Sequence, residues 1–119
     1  MLVKVEEGGG GTWIQVHGPV GQAEAQALFK AAQVLLRKPG SGVLSLDLSA
    51  VSYLDSSALG MLLQLHRLAV DLGVDLVLQN PSSAVQRLLQ VTNLNRVLRV
   101  EGSLSPGLGH PGPRFGSRS

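Results

Sequence analysis

The chain lacks cysteine, carries few aromatic residues and is nearly neutral. The absence of cysteine among 119 residues excludes disulfide bonds and thiolate metal sites. Phe, Trp and Tyr make up only 3% of the sequence, so we expect an aliphatic core built mainly from leucine. The net charge of +2 comes from Arg114 and Arg118, because residues 1–101 carry equal numbers of basic and acidic side chains. A neutral body without a basic patch argues against nucleic-acid binding.

Long apolar runs are missing as well. The longest uncharged apolar stretch, residues 56–66, falls short of the roughly 20 residues that span a bilayer. The N-terminus shows no basic region followed by an apolar run, so we expect no signal peptide and a cytoplasmic location. With 44% hydrophobic and 15% charged residues, the composition suits one folded domain.

Hydrophobic periodicity predicts alternating strands and helices. In residues 43–48, for example, three leucines share one face while Ser45 and Asp47 point the other way. The predicted strands are 2–6, 12–17, 43–48, 74–79 and 97–100, and the predicted helices are 22–38, 56–72 and one that starts at Asn80-Pro81. This order favours an α/β fold with right-handed crossovers, in which helices pack on a mixed, mostly parallel sheet of four to five strands.

Glycine and proline mark the boundaries of these elements. Residues 7–11, Glu followed by four glycines, predict a hairpin turn, because no Gly-Lys-Ser/Thr ending or following helix makes them a phosphate loop. Residues 18–21, Gly-Pro-Val-Gly, should break the chain after the second strand. Gly73 should close the second helix in the left-handed conformation. Residues 102–119 are rich in Gly, Pro and Ser, which predicts a disordered tail after a domain of residues 1–101.

The second and third helices also carry specific expectations. Asn80 should cap the third helix, with Pro81 at its first helical position. The inner face of the second helix is predicted to comprise Leu59, Leu62, Leu63, His66, Ala69 and Val70.

Functional groups should gather at the carboxyl ends of the strands, where open α/β sheets meet ligands and partners. We expect Asp47, Ser49 and residues 54–60 to share that edge. Asp55 and the serines after it are residue types that favour a helix N-cap. A phosphate on Ser56 would also be stabilised at a helix N-terminus. The residues alone leave both a structural cap and a phosphorylation switch open.

Catalytic patterns are weak in this sequence. The three histidines, His17, His66 and His110, are far apart and show no metal-ligand spacing. No Gly-x-Ser-x-Gly elbow surrounds Ser56. Asp47 and Asp55 form a possible carboxylate pair, but no set of metal ligands accompanies them. We therefore expect a binding protein rather than an enzyme, with no metal and no cofactor.

Residues 43–60 carry a family resemblance. The segments Val-Leu-Ser-Leu-Asp-Leu-Ser (43–49) and Val-Ser-Tyr-Leu-Asp-Ser-Ser-Ala-Leu-Gly (51–60) resemble the signature of STAS domains. In that signature a strand ending in Asp-Leu-Ser precedes an Asp-Ser-Ser/Thr-Gly-Leu-Gly helix start. The resemblance covers roughly residues 12–100 and implies the STAS fold. The best-known members are anti-sigma factor antagonists.

The resemblance implies a protein-binding switch controlled by phosphorylation. An unphosphorylated antagonist binds an anti-sigma factor, often a serine kinase, and so frees a sigma factor. The kinase phosphorylates the serine after the motif's Asp and breaks the complex, and a phosphatase restores it. Here that serine is Ser56, with Ser57 the less favoured acceptor, and ATP would belong to the partner. The residues that this resemblance places at the partner surface are Asp47, Ser49, Asp55, Ser56, Ser57, Ala58 and Leu59.

The sequence departs from the family pattern at two places. Family members usually have Gly-x-Leu-Asp after the second strand, whereas residues 18–21 lack the acidic residue, and the motif's first Gly is Ala58. These departures keep a second function open, a constitutive STAS subunit of a phospholipid ABC-type transport complex or of a stress-signalling complex. A nucleotide-binding protein or small enzyme is a third, although no phosphate loop supports it.

Overall fold

The structure, a computed structural model, describes residues 1–9, 11–38, 40 and 42–102, and the predicted tail beyond residue 102 lies outside this part. Within it, five strands form one sheet and alternate with three helices. The strands are β1 (Leu2–Gly8), β2 (Gly11–Val20), β3 (Val43–Leu54), β4 (Asp75–Gln79) and β5 (Arg99–Glu101). The helices are α1 (Gln22–Leu36), α2 (Ser56–Leu72) and α3 (Ser83–Val91), followed by a 3-10 turn, Leu94–Arg96.

The sheet has the order β1-β2-β3-β4-β5. β1 is antiparallel to β2, and the other neighbours are parallel. The predicted α/β fold with a mixed, mostly parallel sheet is therefore confirmed. Because the strand order never reverses and crossovers are right-handed, the three helices lie on one face of the sheet.

The two faces of the sheet differ sharply in chemistry. Ile14, Leu46 and Leu78 pair in register on β2, β3 and β4, and each is at most 1% exposed beneath the helices. Gln15, Asp47 and Gln79 pair in the next register position and so lie on the opposite face. The helix-covered face thus holds the aliphatic core that the leucine-rich composition predicts.

The glycine-rich segment joins β1 and β2 as a hairpin, as predicted. Gly8 pairs with Gly11, and Gly9 has a φ of 59°, which glycine adopts without strain. The predicted break after His17 is wrong, because β2 continues to Val20, which is fully buried. Gly18, with a φ of 93°, lets the strand bend at this point without ending it.

β3 is twice as long as predicted, and it contains two β-bulges. Its pairing with β2 shifts once between Asp47 and Ala50 and again between Ala50 and Tyr53. Each shift gives β3 one residue more than β2. Leu48, Val51 and Leu54 are consequently buried at every third position instead of every second. The Asp47 carboxylate accepts a hydrogen bond from the Ser49 backbone N–H (2.9 Å) at the first bulge.

α2 begins and ends where the sequence predicts. Gly73 closes it in the left-handed conformation, with φ 70° and ψ 28°. Its buried face is rotated from the predicted one, since Val70 is 63% exposed. The buried residues of α2 are Ala58, Met61, Leu62, Leu65 and Ala69.

α3 begins later than predicted. Ser82, rather than Asn80, is its N-cap, and the Ser82 hydroxyl accepts a hydrogen bond from the Val85 N–H (3.4 Å). The same hydroxyl donates to the Val51 carbonyl of β3 (2.6 Å), which ties the start of α3 to the sheet. Asn80 instead adopts a positive φ of 50° in the turn after β4.

Candidate functional site

The candidate site lies where β2 and β3 end side by side. Val20 pairs with Leu54, and the Asp55 N–H donates to the Val20 carbonyl (3.2 Å). Gly21 and Asp55 directly follow these strand ends and precede α1 and α2. The first turns of the two helices therefore emerge next to each other at one edge of the sheet.

Asp55 caps α2, as its residue type predicts. Its backbone is extended, with φ −93° and ψ −177°, and its side-chain Oδ1 accepts a hydrogen bond from the Ala58 N–H (2.9 Å). This bond satisfies one of the free N–H groups in the first turn of the helix. The carboxylate charge also suits the positive end of the helix dipole. Asp55 thus fixes the position of the two serines that follow it.

Glu24 brings a second carboxylate to this site. Its Oε1 accepts a hydrogen bond from the Gly21 N–H (3.0 Å), which is the glutamate half of a capping box at the start of α1. A Cβ built on Gly21 would lie 3.1 Å from Glu24 Oε1 and 3.6 Å from Asp55 Oδ2. The two carboxylates therefore face the same small space, which the missing side chain of Gly21 leaves open. Glu24 is not among the predicted site residues, although a Glu three residues after an N-cap is a sequence signal for a capping box.

The serines of the motif differ from the residues after them in exposure. Ser56, the first residue of α2, and Ser57 are both exposed. Ala58 is fully buried, and Leu59 is half-buried against the core. An external enzyme can reach the two hydroxyls, whereas the side chains of Ala58 and Leu59 mainly hold α2 on the sheet.

Asp47 and Ser49 do not share the edge with Asp55, so that prediction is wrong. They lie in the middle of β3, level with the end of β4, because β3 runs on to Leu54. Asp55 lies eight positions after Asp47, which is on the order of 20 Å along a strand. Asp47 is also only 8% exposed. The possible Asp47–Asp55 carboxylate pair therefore does not form, and Glu24 is the acidic neighbour of Asp55.

Two other features of the described ranges bear on chemistry. No three His, Asp or Glu side chains there come together in a way that could hold a metal ion. None of the helices in the same ranges is both long and apolar enough to cross a bilayer.

The family of the chain follows from its sequence match. The family model of the STAS domain matches residues 3–106. The chain belongs to the STAS domain family. A Thermotoga neapolitana protein named as an anti-sigma factor antagonist homologue is 30% identical over 69 residues. That match covers 58% of this chain and 61% of the relative, so the chain spans about three fifths of the relative's length.

Solved structures share the fold at low sequence identity. An anti-sigma factor antagonist from Mycobacterium paratuberculosis has a TM-score of 0.75 and 23% identity, covering 90% of this chain and 86% of its own. The anti-sigma factor antagonist SpoIIAA in its unphosphorylated form has a TM-score of 0.72 and 16% identity, with coverages of 88% and 90%. The phosphorylated form of SpoIIAA, described as a Bacillus cell fate determinant, gives 0.67 and 15%, with coverages of 88% and 93%.

Proposed function

We propose that this STAS domain is an anti-sigma factor antagonist that binds its partner at the start of α2 and is released by phosphorylation of Ser56. The observation that carries the proposal is the exposed Ser56 hydroxyl at the first position of a helix that Asp55 caps. The relative and the structural neighbours named as anti-sigma factor antagonists support the choice of partner.

Phosphorylation of Ser56 would change the charge of this surface without disturbing the core. A phosphate adds about −1.5 to −2 charges. The helix N-terminus stabilises an anion, so α2 itself tolerates the group. Asp55 and Glu24 already place two carboxylates at the site, and the phosphate would make the surface strongly acidic. A partner that fits the unmodified serine then loses a close contact and meets like charge if its own surface is acidic.

Ser56 is the preferred acceptor over Ser57 for reasons of position. Ser56 directly follows the capping residue at the tip of α2, whereas Ser57 lines the space between α1 and α2. The structural neighbour SpoIIAA supports a change at the surface alone, because its phosphorylated and unphosphorylated forms both share the fold of this chain. In this proposal the partner is a serine kinase that binds ATP and transfers its phosphate to Ser56. A phosphatase removes the phosphate, and both reactions take place in the cytoplasm.

The proposed contact surface is smaller than the set of residues expected from the sequence. Asp55, Ser56 and Ser57 form its centre, because they are at least partly exposed at the tip of α2. Ala58 is buried beneath this surface in the first turn of α2. Asp47 is buried in the middle of β3, away from the surface. Ser49 is exposed but lies along β3, away from this tip.

A pair of serine-to-aspartate variants tests the switch. Ser56→Asp adds a negative charge at the first residue of α2, and Ser83→Asp adds the same charge at the first, exposed residue of α3. Calorimetry would measure the affinity of each variant for purified anti-sigma kinases from the source genome. We expect Ser56→Asp to weaken binding about 100-fold or more, since unfavourable like-charge contacts cost several kcal/mol, and Ser83→Asp to leave it unchanged.

The same measurement separates the proposal from the constitutive subunit. Residues 18–21 lack the family's acidic residue, and this departure favours a permanent partner over a kinase. A permanent complex predicts equal affinity for the Ser56→Asp and Ser83→Asp variants. Equal affinity would therefore overturn the switch and support a constitutive role in a transport or signalling complex.

A further inference from the structure

A groove runs between α1 and α2 next to the candidate site. It encloses about 360 Å³ and is open to solvent. Gln26, Phe29 and Lys30 line it from α1, and Ser57, Gly60 and Gln64 line it from α2. Ser57 belongs both to the groove and to the proposed contact surface, so the two are continuous. We call this feature the α1/α2 groove.

Gly60 is an unusual residue for its position in the α1/α2 groove. It lies inside α2, where glycine is less favourable than alanine because of its backbone freedom. A Cβ built on Gly60 would meet no atom within 4 Å. The packing of this chain therefore does not require a glycine here. Because Gly60 has no side chain, another molecule can approach the backbone of α2 closely at this position.

Three polar side chains of the groove have no partner among the residues that the structure describes. In the part of the chain that the structure describes, the Lys30 ammonium makes no ion pair, and the side-chain amides of Gln26 and Gln64 make no hydrogen bond. Among the described residues, Lys30 is the only charged one that lines the groove. Its complement is a carboxylate, and the amides can bond to either a donor or an acceptor.

We propose that the α1/α2 groove receives a segment of the anti-sigma factor that places an apolar side chain over Gly60 and a carboxylate against Lys30. The half-buried Phe29 offers apolar surface for that side chain, and Met61 lies buried at the edge of the groove. An open groove of this kind cannot enclose most of a small ligand, which binding pockets for small molecules do. It suits a side chain that a protein surface carries. This inference rests on the proposed function and extends its contact surface from Ser57 along α2.

Substitutions at Gly60 and Lys30 test the groove, each with a matched control. Gly60→Leu fills the space, and Ala84→Leu puts the same side chain at an exposed position of α3, outside the groove and without a change in charge. Lys30→Gln lowers the charge by one, as does Ala27→Glu on the exposed surface of α1. Affinity for the purified anti-sigma kinases is measured by calorimetry, and the Tm of each variant by circular dichroism.

We expect Gly60→Leu to weaken binding at least about 10-fold and Lys30→Gln about 5-fold, as for a partly exposed ion pair. Both controls should stay within about 2-fold of the original chain. Gly60→Ala should raise the Tm by about 4 °C, because the added methyl group meets nothing and improves helix propensity. A lower Tm for Gly60→Ala would show that the space is not free and would overturn the inference.

The remaining outcomes separate this inference from the proposed function. If the original chain binds no anti-sigma kinase, the proposed function fails and the inference falls with it. If the chain binds but Gly60→Leu and Lys30→Gln match their controls, the inference alone fails. Sedimentation of the chain at increasing concentration adds one outcome. Self-association that Gly60→Leu abolishes, with unchanged kinase binding, would assign the groove to a second copy and contradict the proposal.

Discussion

Replacing Asp55 with alanine should lower the free energy of unfolding by about 1 kcal/mol. The substitution removes the carboxylate that accepts the Ala58 N–H, and that N–H belongs to a fully buried residue. Replacing Asp55 with asparagine should cost much less, because an amide oxygen can accept the same bond. The lost favourable charge at the helix N-terminus is offset in part by relief from the nearby Glu24 carboxylate. A loss of about 1 kcal/mol corresponds to a fall in Tm of about 4–8 °C.

Urea unfolding measures this difference directly. Trp13 is the single tryptophan and lies half-buried in β2, so its fluorescence reports the unfolding of the sheet, and circular dichroism follows the helices in parallel. The two signals should change together in a two-state transition. The reasoning fails if asparagine costs as much as alanine, because the charge rather than the cap would then hold α2. It also fails if alanine costs nothing measurable.

Substitutions at three further sites test the fold in the same assay, two of them with a control substitution. Gly73→Ala should cost about 1 kcal/mol, because alanine is strained at a φ of 70°, and an unchanged midpoint would contradict the left-handed cap. Ser82→Ala should cost about 1–2 kcal/mol, since it removes the cap of α3 and the bond to the sheet, whereas Ser82→Thr should retain most of that stability. Leu46→Ala should cost about 3 kcal/mol, because the site is fully buried. Val91→Ala should change stability by no more than about 0.5 kcal/mol, because Val91 is 74% exposed. Equal losses for the two variants would contradict the position of the core.

The parts of the fold that sequence predicts well are those with strong local signals. α2 is bounded by a cap residue and by a glycine in the left-handed conformation, and both ends are correct. The hairpin between β1 and β2 is set by consecutive glycines. The parallel order of the later strands follows from the alternation of elements, since a helical crossover joins parallel neighbours.

The parts of the fold that the sequence predicts poorly depend on contacts between segments that are distant along the chain. After Leu48 the apolar residues of β3 recur at every third position, which is no strand pattern unless two bulges intervene. The bulges show only in the pairing of β3 with β2, which continues alongside it to Val20. The start of α3 is set by the bond from Ser82 to Val51, a residue 31 positions away. The local sequence favours Asn80 as the N-cap, because a hydrogen bond to a residue so distant in sequence leaves no local signal.

The candidate site shows the same division. The Asp55 cap could be predicted, because its bond to Ala58 is local. The proximity of Glu24 to Asp55 could not be predicted, because it comes from the pairing of Val20 with Leu54, which aligns the starts of α1 and α2. Asp47 lies far from Asp55 because β3 ends at Leu54 and not, as the sequence predicts, at Leu48.

The most direct test of the account follows one complex through phosphorylation. The purified chain is mixed with an anti-sigma kinase that binds it, ATP is added, and mass spectrometry locates the phosphate while size-exclusion chromatography follows the complex. The account predicts one phosphate on Ser56 and loss of the complex in step with its appearance, with both absent for Ser56→Ala. A complex that persists after stoichiometric phosphorylation of Ser56, or that dissociates equally in the Ser56→Ala variant, would contradict it.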